Sequence, residues 1–115
     1  MAQEINFGSK FIRICPTDNN KIEHSSNGKS WSTSYKGSSY GYFYDLAVFG
    51  GEIFAVTSKG VYISKTDGRS WLSRYTGSSY GEFETIQVNG TELVAKTSKG
   101  SYVSKTDGRS WIKRN

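Results

Sequence analysis

Ser64-Lys65-Thr66-Asp67-Gly68-Arg69-Ser70-Trp71 is an octet that the chain repeats letter for letter at residues 104–111. A degenerate copy of the octet occupies residues 24–31, so that tryptophans recur every 40 residues along the chain. A fixed period of this length, with turn-forming residues at the same phase in each unit, is typical of a stacked repeat architecture. The octet therefore defines the repeat units into which the rest of the sequence is divided.

The octet has the composition of a hairpin turn between two short β-rich segments. Gly68 can adopt the positive φ of a tight turn, and the Asp67 carboxylate can accept hydrogen bonds from the turn's own backbone N–H groups. We expect Ser70 to close the turn from the other side and Trp71 to supply a large apolar surface beside the strand. Because the second copy is identical, the predicted structural turn residues are Asp67, Gly68, Trp71, Asp107, Gly108 and Trp111.

The octet resembles the Asp-box of sialidase-like and related BNR-repeat β-propellers, whose pattern is Ser-x-Asp-x-Gly-x-Thr-Trp. When the two are aligned on the tryptophan, Ser64, Gly68, Ser70 and Trp71 fit this pattern, whereas Thr66 stands at the family's aspartate position. The repeated period covers nearly the whole chain. The resemblance implies a β-propeller with one blade per repeat, and it implies that the octet is a structural turn located away from any ligand site.

The period divides the chain into three units of a single repeat domain, at residues 1–35, 36–75 and 76–115. Each unit contains four short runs with the alternating apolar pattern of β-strands, separated by turn residues, and no segment shows helical periodicity. Four antiparallel strands per repeat of about 40 residues are typical of a propeller blade. We therefore predict an all-β fold of three four-stranded antiparallel blades. A two-sheet sandwich is the rival fold, and the fidelity of the repeat disfavours it.

The second and third units are identical at more than half of their positions. We interpret the differences at apolar positions as mild, such as Leu46 against Ile86 and Ile63 against Val103. Apolar swaps of similar size preserve a core. We therefore expect both units to keep one packing plan.

The number of blades predicts an oligomer. Closed propellers contain about four to eight blades, and three blades leave two open flanks that would each expose a face suited to packing on a neighbour. Two copies placed head to tail about a twofold axis would complete a six-bladed ring. We predict such a homodimer, and a fragment of a longer propeller or a designed repeat protein remains as an alternative.

The composition narrows the class of protein. With 15 Lys and Arg against 10 Asp and Glu, the net charge is +5, which suits an anionic glycan, nucleic acid or membrane surface but also ordinary solubility. Cys15 is the only cysteine, which excludes an intrachain disulfide and a four-cysteine zinc site. No carboxylate cluster has calcium-loop spacing, so we expect no metal and no cofactor. We also expect no signal peptide or membrane span, and by default a cytoplasmic protein.

The strand order predicts where a ligand would bind. In a four-stranded meander, the turn between strands two and three lies on the same rim as the link to the next blade, and the octet turn lies on the opposite rim. The link 37–41 and the turn 57–60 therefore share a rim, and both recur unchanged at 77–81 and 97–100. Aromatic, hydroxyl and ammonium groups on this rim are the candidate ligand-binding residues, namely Ser38, Ser39, Tyr40, Lys59, Ser78, Ser79, Tyr80 and Lys99.

These features favour a non-catalytic, carbohydrate-binding (lectin-like) module. A tyrosine would stack on a glycan ring while serines and a lysine bind its hydroxyls or an acidic substituent, and repeated weak sites would gain avidity on a multivalent surface. The plainer interpretation is that this loop is only a blade connector whose tyrosine packs into the seam. Because propeller rims also bind peptides and proteins, a protein–protein interaction or assembly propeller is the alternative function. Because glycoside hydrolysis needs two carboxyl groups at a set separation and no such pair is selected here, we predict no enzyme. Nucleic acid is disfavoured as a partner because no recognition motif is present.

Overall fold

The computed structural model describes residues 4–114, which form twelve β-strands. Within these residues no helix is long and apolar enough to cross a membrane. The strands are β1 (Glu4–Phe7), β2 (Lys10–Ile14), β3 (Lys21–Ser25), β4 (Ser32–Lys36), β5 (Phe43–Phe49), β6 (Glu52–Thr57), β7 (Gly60–Ser64), β8 (Leu72–Tyr75), β9 (Phe83–Asn89), β10 (Glu92–Thr97), β11 (Gly100–Ser104) and β12 (Ile112–Lys113).

The strands form three separate four-stranded antiparallel sheets, in the orders β1-β2-β3-β4, β5-β6-β7-β8 and β9-β10-β11-β12. We name these sheets blade 1, blade 2 and blade 3. The first strands of successive blades lie side by side, with β1 next to β5 and β5 next to β9, which makes them the innermost strands. The predicted all-β fold of three four-stranded blades is confirmed. Closure of a ring by a second copy stays a prediction.

Apolar clusters fill the two seams between blades. We name the face of a blade that points to the preceding blade its N-side face, and the opposite face its C-side face. In the first seam, the C-side face of blade 1 packs on the N-side face of blade 2 through Ile12, Ile14, Ile22, Phe43, Leu46, Ile53, Ala55, Tyr62 and Trp71. In the second seam, blade 2 packs on blade 3 in the same way through Ala47, Phe54, Val56, Val61, Ile63, Phe83, Ile86, Leu93, Ala95, Tyr102 and Trp111.

The octet forms a tight hairpin turn between β7 and β8. Asp67 and Gly68 have φ angles of 60° and 83°, and the Arg69 N–H donates to the Thr66 carbonyl at 3.1 Å, as in a type I′ turn. The Ser64 hydroxyl accepts the backbone N–H groups of Thr66 and Gly68 at 3.2 and 2.9 Å. The positive φ predicted for the turn glycine is therefore confirmed, and a buried serine hydroxyl holds the turn closed.

The prediction that Asp67 caps its own turn is wrong. The Thr66 hydroxyl accepts the backbone N–H of Ser70 at 2.9 Å and lies 2.9 Å from the Ser70 hydroxyl, so threonine supplies the acceptor at the family's aspartate position. The Asp67 carboxylate instead forms an ion pair with Lys10 of blade 1 at 3.0 Å. Because both partners are partly exposed, this pair contributes at most about 1 kcal/mol to the stability of the seam.

The tryptophans of the two identical octets are buried in the seams. Trp71 and Trp111 are each 4% exposed, and their indole N–H groups donate to the carbonyls of Gly68 and Gly108 at 2.9 and 3.0 Å. Asp107 of the third blade is exposed on the turn. Because both indoles lie in the seams, each of these two turns packs against the blade that precedes it.

The degenerate copy of the octet has a turn that is one residue shorter than the sequence alignment indicates. Ser25, rather than His24, takes the place of Ser64, because its hydroxyl accepts the N–H groups of Asn27 and Gly28 at 3.2 and 2.8 Å. The Asn27 side chain then accepts the N–H groups of the two residues after Gly28, at 2.8 and 2.9 Å. An amide oxygen thus replaces the threonine hydroxyl of the identical octets.

The contact of the octet turn with the neighbouring blade can be tested with two glycine variants. A Cβ at Gly68 would lie 2.7 Å from Cγ2 of Ile22 in blade 1, whereas a Cβ at Gly50, where φ is 62°, would meet nothing within 4 Å. We expect Gly50→Ala to lower the free energy of unfolding by about 1–2 kcal/mol through backbone strain alone. Gly68→Ala should lower it by about 1–3 kcal/mol more through overpacking. Urea unfolding measures both, and equal losses would contradict the close packing of the turn on blade 1.

Candidate functional site

The repeated loops meet on one edge of the blades, which we name the upper rim. In blade 2, the Tyr42 N–H donates to the Ser58 hydroxyl and the Ser58 N–H donates to the Tyr42 carbonyl, both at 2.9 Å. In blade 3, Glu82 and Ser98 form the same pair of hydrogen bonds, also at 2.9 Å. The link between blades and the turn between the second and third strands are thus joined within each blade.

The last glycine of the link is required by close packing on the neighbouring turn of the same blade. A Cβ at Gly41 would clash with the Ser58 side chain and would lie 3.2 Å from the backbone nitrogen of Lys59. Gly41 and Gly81 also have positive φ angles, 84° and 88°. This glycine is therefore retained because of packing inside each blade, and its retention does not require a ligand.

Lys59 and Lys99 occupy equivalent positions on the upper rim. The Lys59 ammonium donates to the Ser39 carbonyl at 3.3 Å, and the Lys99 ammonium donates to the Ser79 carbonyl at 3.5 Å. Both lysine side chains are exposed. Each ammonium is therefore held close to the link and remains accessible to an anionic group of a ligand.

Tyr40 and Tyr80 are packed into the seams. The ring centroid of Tyr40 lies 5.0 Å from that of Tyr35 and 5.2 Å from that of Tyr62. Tyr80 lies 4.8 and 5.2 Å from the two equivalent tyrosines one repeat later. Both rings are half-buried. This arrangement favours the interpretation of the loop as a blade connector over that of an open platform for a sugar ring.

A groove of about 650 Å³ opens on the upper rim at the junction of blades 2 and 3. Among the predicted ligand-binding residues, Ser39, Lys59 and Ser78 line this groove, whereas Ser38, Tyr40, Ser79, Tyr80 and Lys99 do not. The complete lining is Ser39, Thr57, Ser58, Lys59, Gly60, Tyr62, Thr76, Gly77, Ser78, Gly81, Glu82 and Phe83. We name this depression the rim groove.

Glu82 is a groove residue that was not predicted from the sequence. Glu82 occupies the position that Tyr42 has in blade 2, directly after the otherwise unchanged link. That single substitution was the available signal, because it places a charge beside an identical loop. Tyr62 and Phe83 also line the groove without having been predicted there, but they are only 7% and 1% exposed and belong to the seams.

A hydrogen bond crosses the junction beside the groove. The Tyr44 hydroxyl donates to Oε2 of Glu82 at 2.8 Å. This hydrogen bond, together with burial, raises the pKa of the Tyr44 phenol above its ordinary value. The bond links β5 of blade 2 to the residue that precedes β9 of blade 3, and it holds the Glu82 carboxylate beside the groove.

The junction of blades 1 and 2 carries a different pocket, of about 510 Å³. Its lining comes from the loop 15–19 and from the start of β5, and the Phe43 N–H donates to the Asn19 carbonyl at 2.8 Å. A hydrogen bond with Thr17 lowers the pKa of the Cys15 thiol. Because this loop lacks the repeated rim sequence, the two junctions present different chemistry.

The rim groove offers groups for binding a polar ligand. It has the Lys59 ammonium, the Glu82 carboxylate and the hydroxyls of Ser39, Ser58 and Ser78. In the part of the chain from 4 to 114, no three His, Cys, Asp or Glu side chains are grouped so as to hold a metal ion. The arrangement can therefore bind a ligand through ion pairs and hydrogen bonds.

The bond across the junction can be tested by titration. We expect Glu82→Gln to lower the pKa of Tyr44 toward its ordinary value of about 10, because the variant removes the negative charge that disfavours the phenolate. Since folding raises this pKa, ionisation of Tyr44 opposes folding at pH values above the unfolded pKa. Ultraviolet absorbance of tyrosinate measures the titration, with the exposed neighbour Glu84→Gln as control. An unchanged titration in Glu82→Gln would argue against the hydrogen bond.

No family model and no curated protein matches this chain. Among solved structures, one match is described as YCF48 bound to D1 peptide, with a TM-score of 0.72 and 16% sequence identity. The match covers 96% of this chain and 40% of that protein's chain, so this chain spans less than half the length of its structural neighbour. At this identity the likeness shows the fold alone. Together with the three four-stranded sheets, the likeness to the propeller YCF48 shows that this chain has a β-propeller-type fold.

Proposed function

We propose that this protein is a non-catalytic binding module that takes an extended segment of a partner protein into the rim groove. The observation that carries the proposal is the chemistry of the groove. Lys59 from blade 2 and Glu82 from blade 3 line one depression, so that the groove presents a cation and an anion from two different blades. A polypeptide can supply side chains of both charges to pair with Lys59 and Glu82, and polar backbone groups to bind the neighbouring hydroxyls.

The polar lining also suits a peptide backbone. Ser39, Ser58, Thr76 and Ser78 are exposed along the groove, and each hydroxyl can both donate and accept a hydrogen bond. An extended chain presents alternating N–H and C=O groups to such a surface. Backbone hydrogen bonds with side-chain pockets are a common way in which extended peptides are recognised.

The structural neighbour supports the same class of function. YCF48 was solved in complex with a D1 peptide. That complex belongs to the other protein, and the sequences share 16% identity. The site proposed for this chain therefore rests on its own groove, and the neighbour supports only the idea that such a propeller can bind a peptide.

The lectin-like module is the second candidate, and the hydroxyl-rich lining of the groove favours it. Against it, Tyr40 and Tyr80 pack in the seams and do not line the groove. The aromatic rings that do line it, Tyr62 and Phe83, are buried. A glycan would therefore lack the open aromatic face that the lectin hypothesis assumed.

The geometry disfavours a hydrolase. Glu82 is the one carboxylate among the residues that line the rim groove, and glycoside hydrolysis uses two carboxyl groups about 5–10 Å apart. His24 lies in blade 1, where its Nδ1 is 2.6 Å from the Ser34 hydroxyl, on a sheet that does not line the groove. The proposed role is therefore recognition.

Selection from a random linear-peptide library against the folded protein, followed by calorimetry with a selected peptide, tests the proposal. We expect Lys59→Glu to weaken binding of that peptide by about tenfold or more, equivalent to about 1.4 kcal/mol. The reason is that the substitution reverses the charge of the groove's cation. Lys99→Glu is the matched control, because Lys99 makes the same local contacts but lies outside the groove.

Equal binding by wild type, Lys59→Glu and Lys99→Glu would show that the rim groove is not the peptide site. A glycan array run in parallel separates the two candidate functions. Saturable glycan binding that is lost in Tyr40→Ala combined with Tyr80→Ala would support the lectin-like module and count against the peptide proposal. Circular dichroism of each variant confirms that loss of binding is not loss of fold.

A further inference from the structure

The C-side faces of blades 2 and 3 differ sharply. In blade 2 this face is apolar and fills the second seam. The equivalent residues of blade 3, on the open flank, are polar or smaller. From blade 2 to blade 3 the residues change from Ala47 to Gln87, Phe49 to Asn89, Phe54 to Val94, Val56 to Lys96 and Val61 to Ser101. The sequence-based interpretation that apolar differences between these units are mild is wrong for this face.

The N-side faces of the same two blades are nearly unchanged. Both N-side faces are buried in a seam. Four residues are identical between the blades and two are exchanged for aliphatic residues of equal size. The pairs are Phe43 and Phe83, Ala55 and Ala95, Tyr62 and Tyr102, Trp71 and Trp111, Leu46 and Ile86, and Ile53 and Leu93. Divergence between the repeats is therefore concentrated on the face that meets no blade among residues 4–114.

The N-side face of blade 1 is the second open flank, and it is also polar. Strand pairing places Arg13 opposite Glu23, where blade 2 has Ala55 opposite Tyr62. Trp31, the counterpart of the buried Trp71, is only half-buried here. Two central apolar positions of a seam are thus replaced by a pair of opposite charges.

The charges on this flank are paired with one another. Nε of Arg13 lies 2.8 Å from Oε1 of Glu23, and Nζ of Lys21 lies 3.4 Å from Oε2 of Glu23. The Arg13 guanidinium also lies 4.0 Å from the centre of the Trp31 ring. Burial acts to raise the pKa of Glu23, but hydrogen bonding and the charge of Arg13 outweigh it, so this pKa is lowered. The flank is therefore covered by its own ionised side chains.

We propose that both flanks are caps, and that the three blades remain an open arc that does not dock onto a second copy of the chain. In a six-bladed ring, the flank of blade 3 would cover the flank of blade 1, and Lys96, Arg13 and Glu23 would all enter the seam. Removal of these groups from water is costly unless every charge is matched. Repeat proteins keep terminal units soluble with a polar outer face. This proposal replaces the homodimer predicted from blade number alone.

The mass of the unmodified chain in solution tests the proposal directly. Light scattering over about a hundredfold range of concentration should give the mass of one chain throughout. A dimer would instead show twice that mass, either across the range or at the higher concentrations only. A mass of two chains across the range would overturn the proposal. This measurement is independent of peptide binding, so its failure and that of the proposed function are separable.

Variants with apolar flanks test whether the polar side chains are what prevents association. Lys96→Val with Ser101→Val gives blade 3 the residues that blade 2 uses in a seam, and Arg13→Ala with Glu23→Tyr does the same for blade 1. We expect the chain with all four substitutions to associate with rising concentration, to a mass of two chains or more. If that chain is folded and stays monomeric, the polar residues are not what keeps the flanks apart, and the proposal fails.

Two further chains complete the experiment. Lys113→Val with Ser73→Val makes the same exchanges at exposed positions of the outermost strands, and it should remain monomeric. The Lys96→Val and Ser101→Val chain is measured alone, so that the test survives if four substitutions prevent folding. Its mass should rise with concentration. A constant mass equal to that of the unmodified chain would contradict the proposal.

Discussion

Packing of the two identical octet turns on the blades that precede them is the interaction on which the rest of the structure depends. Gly68 lies against Ile22 of blade 1, and a Cβ at Gly108 would lie 3.2 Å from Phe54 of blade 2. The tryptophan of each turn then fills the seam that the glycine has brought close. A single four-stranded sheet of this size buries little apolar surface, so the blades gain stability by stacking. Because each turn contacts the blade before it in the chain, the stack has a fixed direction.

That direction determines where a binding groove can form. The rim groove needs the turn between the second and third strands of one blade and the first residues of the next. Lys59 and Glu82 meet this condition at the junction of blades 2 and 3. Lys99 has the same hydrogen bonds as Lys59, but no following blade within residues 4–114 supplies the second side of a groove. Identical sequence therefore gives different chemistry, according to the neighbour that each repeat has.

Signals that are local or periodic made much of this fold predictable from sequence. The twelve strands, the positive φ of Gly68 and the burial of Trp71 follow from turn chemistry and the repeat. The capping group did not follow, because Ser64, Thr66 and Asp67 all carry acceptor oxygens and only the backbone path decides which one reaches an N–H. The site was harder still. Whether Tyr40 is open to a ligand depends on side chains of other strands that pack around it, and no pattern along the chain reports this.

The two flanks also could not be judged from sequence position alone, but comparison of the repeats face by face explains them. Val56 and Lys96 are equivalent in sequence, but the effect of the exchange depends on which face of the strand they occupy. That face is known only from the pairing of β6 with β7 and of β10 with β9. Once positions are sorted by face, a lysine that would destabilise a seam is explained as a residue suited to water. Comparison of repeats by face thus separates two kinds of constraint. The glycines retained in the rim loops reflect packing inside a blade, whereas the face that diverges in blade 3 is one that packs on no other blade within residues 4–114.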